Sequence, residues 1–229
     1  MTFPKLTLTY FDIEGRGEPI RLCLALAGIP FEDERVAFAD WKEMKPKAPF
    51  GLLPYLKVDK EDGSEPVFRT QSLGILRGLA REYAPDLYHD VFAVEEAMGI
   101  VDDMMDRFIP SMYISMRPAQ YGHPADVAQT EEGKKTIKAM RERFVSQDLP
   151  VYLKQLETLL ARHDNKFLAS SDKPSIADCY AIPSLRSFTR NYLDHIPGNC
   201  LDDHPLIVDY IKRFCALPEI QGRYTTGLY

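Results

Sequence analysis

Tyr10 closes an alternating run, Leu6 to Phe11, and is followed at once by the polar, glycine-bearing turn Asp12-Ile13-Glu14-Gly15-Arg16-Gly17. A phenol can donate a hydrogen bond to an anion, and a nearby guanidinium can add positive potential. A turn at the carboxyl end of a strand is also where open α/β sheets hold ligands. Read alone, Tyr10 fits a packed strand tyrosine as well as a reactive group, and Arg16 fits a surface arginine. Gln71-Ser72 precedes an apolar-periodic helix, so Ser72 fits either a plain N-cap or a receptor for an anion at the positive helix end. Asp102 and Asp106 share one helix face. Other chemistries lack their residues. Cys23, Cys179, Cys200 and Cys215 form no CxxC and read as reduced thiols. His89, His123, His163, His195 and His204 are scattered, with no zinc-ligand spacing, so no metal is expected. Gly15-Arg16-Gly17 is too short for a phosphate-binding loop.

The elements that must position these residues follow from periodicity. In the first strand Leu6, Leu8 and Tyr10 share one face, and Thr7, Thr9 and Phe11 the other. A helix from about Pro19 to Gly28 follows, with Ile20, Cys23, Leu24 and Ala27 on its apolar side. Phe31 to Val36 reads as a strand exposed on one side or at a sheet edge, since Glu32, Glu34 and Arg35 punctuate it. Residues 37–50, with the lone Trp41 and Lys42, Lys45 and Lys47, read as a short helix and loop. Tyr55 to Val58 and Val67-Phe68 are strands joined by a charged turn at Lys60 to Ser64. A helix then carries Leu73, Leu76, Leu79, Ala80 and Tyr83 on one side.

Beyond Ala84-Pro85-Asp86 nothing reads as strand. Residues 84–90 are expected to be a linker between a domain over 1–83 and a helical domain over 91–229. Val94, Ala97, Val101, Met104 and Phe108 define a helix that Pro110 should kink or end. Residues 117–128 read as a loop. A long helix is expected from Gln129 to Arg162, bent at Pro150. Ser175-Ile176-Ala177-Asp178 is a capping-box start, and Ile207, Tyr210, Ile211 and Phe214 mark the buried side of the last helix.

At 229 residues and 45% hydrophobic content, the chain can bury one large core or two small ones. A net charge of -6 argues against nucleic acid or an anionic membrane as the main partner. No apolar run approaches the ~18 residues of a membrane span, and the amino end lacks a secretory pattern. A cytoplasmic location is expected.

The β-α-β then β-β-α order resembles a thioredoxin-like fold. In that fold the proline before the third strand, here Pro54, is often cis. Redox members carry cysteines at the start of the first helix, and Glu14 to Arg21 has none. Taken whole, an α/β thioredoxin-like N-terminal domain followed by an all-α helical-bundle C-terminal domain resembles a cytosolic glutathione transferase. The likeness rests on TYFDIEGRGEPIRL at 9–22, Asp40-Trp41 with Lys45, Pro49-Phe50-Gly51-Leu52-Leu53-Pro54, Gln71-Ser72, and Ser175 to Asp178. In joint order these are most similar to the sigma-type group, which includes haematopoietic prostaglandin D synthases and the lens S-crystallins.

The resemblance implies an enzyme that uses glutathione as co-substrate and hydrophobic electrophiles as second substrates. Tyr10 would stabilise the glutathione thiolate, and Arg16 would assist. Gln71 and Ser72 would receive the γ-glutamyl carboxylate, and the Leu53 backbone, presented by Pro54, the cysteinyl unit. Trp41 and Lys45 would hold the glycyl carboxylate. Asp106 would reach the amine across a homodimer, or lie on a solvated face with Asp102 and Asp103. Phe11, Ile13 and Gly15 would form one wall of the electrophile pocket, and Phe108, Met112 and Tyr113 the other. The carboxy-terminal Gly227-Leu228-Tyr229 would cover that pocket or fray. Leu52 stands where many sigma-type sequences have lysine or glutamine, which weakens the expected grip on the glycyl end. Met105 interrupts the aspartate cluster that binds a cation in the prostaglandin synthases, so no such site is expected. Two further readings stay open: a non-catalytic structural or ligand-carrying relative, and a glutathione-dependent prostaglandin-type isomerase.

Overall fold

The structure, a computed structural model, describes residues 3–60 and 62–224. Its amino-terminal half is a four-stranded sheet in the order β2-β1-β3-β4. Strand β1 (Leu6–Phe11) lies parallel to β2 (Glu32–Val36) and antiparallel to β3 (Tyr55–Val58), which pairs antiparallel with β4 (Val67–Thr70). The charged β2 is thus an edge strand, one of the two placements its sequence allowed. Register sets Tyr10 against Arg35, and Thr9 against Tyr55. The first strand departs from simple alternation: Thr9 is buried like Leu8 and Tyr10. Its hydroxyl is satisfied by donating to Glu34 at 2.5 Å.

Helix α1 (Glu18–Leu26) crosses from β1 to β2 and ends before Gly28, whose φ of +62° supplies the left-handed exit. Sequence periodicity gave it one apolar side, but Glu18 through Leu24 are all buried, because α1 also packs against the carboxy-terminal helix α7 (Ile176–Arg186). Helix α2 (Trp41–Met44) and a 3-10 turn, Pro49–Gly51, occupy the surface connection to β3. The Leu53-Pro54 bond is cis. Helix α3 (Ser72–Tyr83) buries Ile75, Leu76, Leu79 and Ala80.

Residues 84–90 are not open chain. Pro85–Tyr88 forms a 3-10 turn, and Leu87 and Tyr88 are buried. Helix α4 runs Val91–Tyr113, with Val94, Ala97, Val101, Met104 and Phe108 facing inward as their spacing predicts. It does not end at Pro110. Proline removes one N–H, yet its own carbonyl still accepts from Ile114 at 3.0 Å, and buried Ser111 and Ile114 anchor the last turn. Helix α5 (Glu131–Arg143) is capped by Thr130, whose hydroxyl accepts from Gly133 N–H. The expected long helix is interrupted by a π-helical turn at Phe144–Asp148, and α6 (Leu149–Arg162) carries Pro150 in its first turn. The break therefore falls just before the proline, where the wider turn accommodates the lost donor. Helix α7 (Ile176–Arg186) starts with the capping box of Ser175 and Asp178, and runs on past Pro183. Helix α8 (Pro205–Cys215) buries Ile207, Tyr210, Ile211 and Phe214.

One hydrophobic core runs through both halves, joining Leu6, Leu8, Ile20 and Leu24 to α4, α6, α7 and α8. Among the described residues no helix is long and apolar enough to cross a membrane, and no group of three or more His, Cys, Asp or Glu could hold a metal ion.

Candidate active site

Strand β1 delivers Tyr10 to the sheet end, 7% exposed. The chain then makes a 3-10 turn, Gly15–Gly17, before α1. The first N–H groups of a helical turn have no partner within it. One of these, on Arg16, donates to the Tyr10 phenol oxygen at 3.1 Å. The glycines are required by close approach. A Cβ at Gly15, where φ is +39°, would sit 2.7 Å from the phenol oxygen, and one at Gly17 would sit 2.6 Å from the ring. Tyr10 is therefore clasped by its own turn.

Burial raises the Tyr10 pKa above its ordinary value, partly offset by the Arg16 N–H and by the charges of Arg16 and Arg21. The phenol stays protonated at neutral pH. Its oxygen accepts from Arg16, and its O–H has no acceptor among the described residues, which leaves it free to donate. The Arg16 side chain is exposed, and its charge acts on both Tyr10 and Tyr180.

The turn is held from two sides. Arg21, fully buried, donates from Nη1 to the Ile13 carbonyl at 2.8 Å and from Nε to Asp33 at 2.9 Å. Its guanidinium lies 5.8 Å from the Tyr10 ring centre. Glu14 faces the helical half. It accepts from Arg186 Nη1 at 3.0 Å to each carboxylate oxygen, and also from Arg190. Glu18, 2% exposed, accepts from Arg21, from Arg223 at 2.8 Å and from the Tyr224 hydroxyl at 3.0 Å. Burial works to raise the Glu18 pKa, but Arg223, Arg21 and Tyr224 outweigh it and hold the carboxyl below its ordinary value.

Gln71 is the N-cap of α3, and Ser72 is its first helical residue rather than the cap. Gln71 takes φ +68°, costly for a residue with a Cβ, and makes no side-chain cap bond. The amide end of α3 is thus left uncapped by Gln71, as an anion receptor needs. On the loop before β3, Phe50 also has positive φ, +54°, and Lys45 lies against Gly51. Leu53 is half-buried and Leu52 is exposed. Trp41 meets Phe11 edge-on with ring centres 5.7 Å apart, and Phe11 stacks on Phe38 at 4.5 Å.

On the helical side, Tyr113 and Met112 are half-buried at the end of α4, and Tyr113 is close enough to act electrostatically on Tyr10. Phe108 corrects the expected pocket wall. It is 1% exposed and packed between Phe144 and Phe188, each with ring centres 5.0 Å away, so it belongs to the helical core. Ile13 is 42% exposed, consistent with a wall open to a ligand. Asp106 is exposed, while Asp102 is not solvated freely: it accepts from the Tyr180 hydroxyl at 2.5 Å. Residues 227–229, expected near the pocket, lie outside the described residues.

Sequence reasoning gave no role to Glu14, Arg186, Arg190 or Tyr180. No local pattern could have found them, since Glu14 and Arg186 are 172 residues apart.

The family pattern described as glutathione S-transferase, C-terminal domain, matches residues 122–224. The chain is similar to glutathione S-transferase 1 of Ascaris suum, 34% identical over 220 residues, covering 95% of this chain and 94% of that one. A shorter match, 48% identical over 79 residues, joins 34% of the chain to 37% of the hematopoietic prostaglandin D synthase of Gallus gallus. In fold it is similar to a sigma class glutathione transferase of Fasciola hepatica, with TM-score 0.72 at 24% identity, covering 92% of this chain and 90% of that one.

Proposed function

The chain belongs to the glutathione S-transferase family, and from that premise we propose that Tyr10 donates its O–H to the sulfur of bound glutathione and holds it as thiolate for attack on a hydrophobic electrophile. The observation that carries this reading is the Arg16 N–H on the Tyr10 oxygen, which leaves a protonated, buried phenol with its donor free. A free thiol of pKa about 8.5 is mostly protonated at neutral pH. Lowering that value by two units needs about 2.7 kcal/mol, and one charge-assisted hydrogen bond supplies about 1.5 to 3. Nucleophile activation and positioning then carry the catalysis.

The remaining residues divide the tripeptide among them. The uncapped start of α3 at Gln71 and Ser72 takes the γ-glutamyl carboxylate, and the Leu53 backbone before cis Pro54 takes the cysteinyl unit. Trp41 and Lys45 take the glycyl carboxylate, with Leu52 contributing no polar contact there. Arg16 adds positive potential beside the sulfur. Phe11, Ile13, Gly15, Met112 and Tyr113 border the electrophile, without Phe108. Asp106, exposed on α4, serves the partner copy in a two-fold homodimer. The glutathione-binding domain spans 1–83 and the helical domain 91–229, in a cytoplasmic enzyme of sigma-like type. A second reading, isomerisation of a prostaglandin-type endoperoxide, draws on the likeness to the Gallus gallus synthase.

The test is conjugation of glutathione to a small aryl halide by the parent and Tyr10→Phe, with the absorbance of the bound thiolate followed against pH. The reading expects an upward shift of the thiol titration in the variant with glutathione binding largely kept. An unchanged titration would remove Tyr10 as activator.

A further inference from the structure

Glu14 belongs to the Tyr10 turn, and its side chain is held by the helical half of the molecule. Its side chain is 24% exposed, and both carboxylate oxygens accept from Arg186 Nη1, with Arg190 as a second donor. Arg186 is fully buried at the end of α7. Its Nε and Nη2 have no hydrogen-bond partner among the described residues, and the face of Tyr224 lies 3.5 Å from its guanidinium carbon. A buried guanidinium with two unused donors is expensive. Glu14 is the carboxylate that compensates it.

The link to the chemistry is short. The Glu14 carbonyl accepts from Glu18 N–H at 2.9 Å, closing the turn, and two residues on from Glu14 the Arg16 N–H reaches the Tyr10 oxygen. With Arg21 holding the Ile13 carbonyl from the other side, the turn has two anchors, and one of them belongs to α7.

We propose that Glu14, Arg186 and Arg190 are positioning residues: their inter-domain tie keeps the Arg16 N–H on the Tyr10 oxygen, so the helical half governs how well Tyr10 holds a sulfur anion. The inference rests on the reading of Tyr10 as thiol activator. A tie with a merely structural role would change stability alone. A positioning tie also changes the acidity of the bound thiol, because a displaced Arg16 N–H lets the phenol turn away.

The experiment titrates the thiolate absorbance of glutathione bound to the full chain in Glu14→Gln, Arg190→Gln and the double variant Glu14→Gln/Arg186→Met, with Tyr10→Phe alongside. Unfolding midpoints and glutathione affinities are measured on the same samples. Glu14→Gln is expected to raise the thiol pKa by about one unit, a tenfold loss of thiolate, with glutathione affinity changed less than about threefold. Arg190→Gln, which leaves Arg186 in place, is expected to produce a smaller rise in the same direction. If Glu14→Gln does not fold, the double variant, which leaves no lone buried charge, is expected to show the same rise. A folded Glu14→Gln or double variant with an unshifted titration, however much its midpoint falls, overturns the tie as a positioning device. If Tyr10→Phe shifts and these variants do not, only the tie fails. If Tyr10→Phe itself does not shift, the tie falls with the reading beneath it.

Discussion

Helices α1 and α7 pack against each other, both nearly fully buried, yet their beginnings are built from different materials. At α7 the carboxylate is Asp178, fully buried and served by neutral donors close by: Ser175 N–H at 2.7 Å, Ser175 Oγ at 2.9 Å, Leu168 N–H at 2.9 Å and Tyr210 Oη at 2.8 Å. At α1 the carboxylates are Glu14 and Glu18, served mainly by arginines, three of which come from the far end of the chain. The first arrangement is a local cap enclosed in the core. The second leaves its turn exposed at Ile13, Gly15 and Arg16, with the Arg16 N–H directed at the Tyr10 oxygen. Local neutral caps stabilise a helix where nothing need be exposed, and long-range charged ties hold an exposed turn without covering it.

The largest expected effect tests the first half of that contrast. Asp178→Ala strands the Leu168, Ser175 and Tyr210 donors, each costing about 1 to 3 kcal/mol when buried and unpaired, so stability falls by about 3 to 5 kcal/mol or more. Urea midpoints measure it, and a loss below about 1 kcal/mol would break the contrast. Tyr10→Phe should do the opposite: stability within about 1 kcal/mol of the parent, and kcat/KM for conjugation down about a hundredfold, equal to about 2.7 kcal/mol. Gly17→Ala is the intermediate case. The added methyl meets the Tyr10 ring at 2.6 Å, and displacing that ring should lower kcat/KM by about tenfold.

The smallest effect separates the two acids by pH. Glu18 has a lowered folded pKa, so its contribution is present above the ordinary glutamate value of about 4.3 and is lost as the pH falls through the folded value. Burial raises the Asp178 pKa, against the pull of its four donors, so its titration works in reverse, contributing most in acid and less as the pH rises through the raised value. The stability gap between the parent and Glu18→Gln should therefore close in acid, and that between the parent and Asp178→Asn should widen. Urea unfolding from about pH 3.5 to pH 7 reads both, and parallel gaps would refute the distinction.

Much of this was legible in the residues. The strand at Leu6 to Phe11, the exit at Gly28, the box from Ser175 to Asp178 and the inward residues of α4 and α8 are short-range patterns, and each element stands where its pattern put it, although Thr9 breaks the strand's alternation. The π turn before Pro150 and the passage of α4 through Pro110 were not legible. Proline states only that one donor is missing, and the surrounding packing decides how the chain absorbs that loss.

Sequence by itself determined most of the elements, the family motifs and the presence of Tyr10 at a strand end, because periodicity, capping and turn chemistry act over a few residues. Tertiary structure alone decided that Phe108 is core, since a helical period says a residue faces inward but not what it meets there. It also decided that Gln71 occupies the N-cap position of α3 without capping it and that Ser72 is the first helical residue, because only the folded loop imposes the positive φ. Above all it brought Glu14 to Arg186. Charge pairing has no period along a chain, and a contact across 172 residues exists only once both halves have folded against each other.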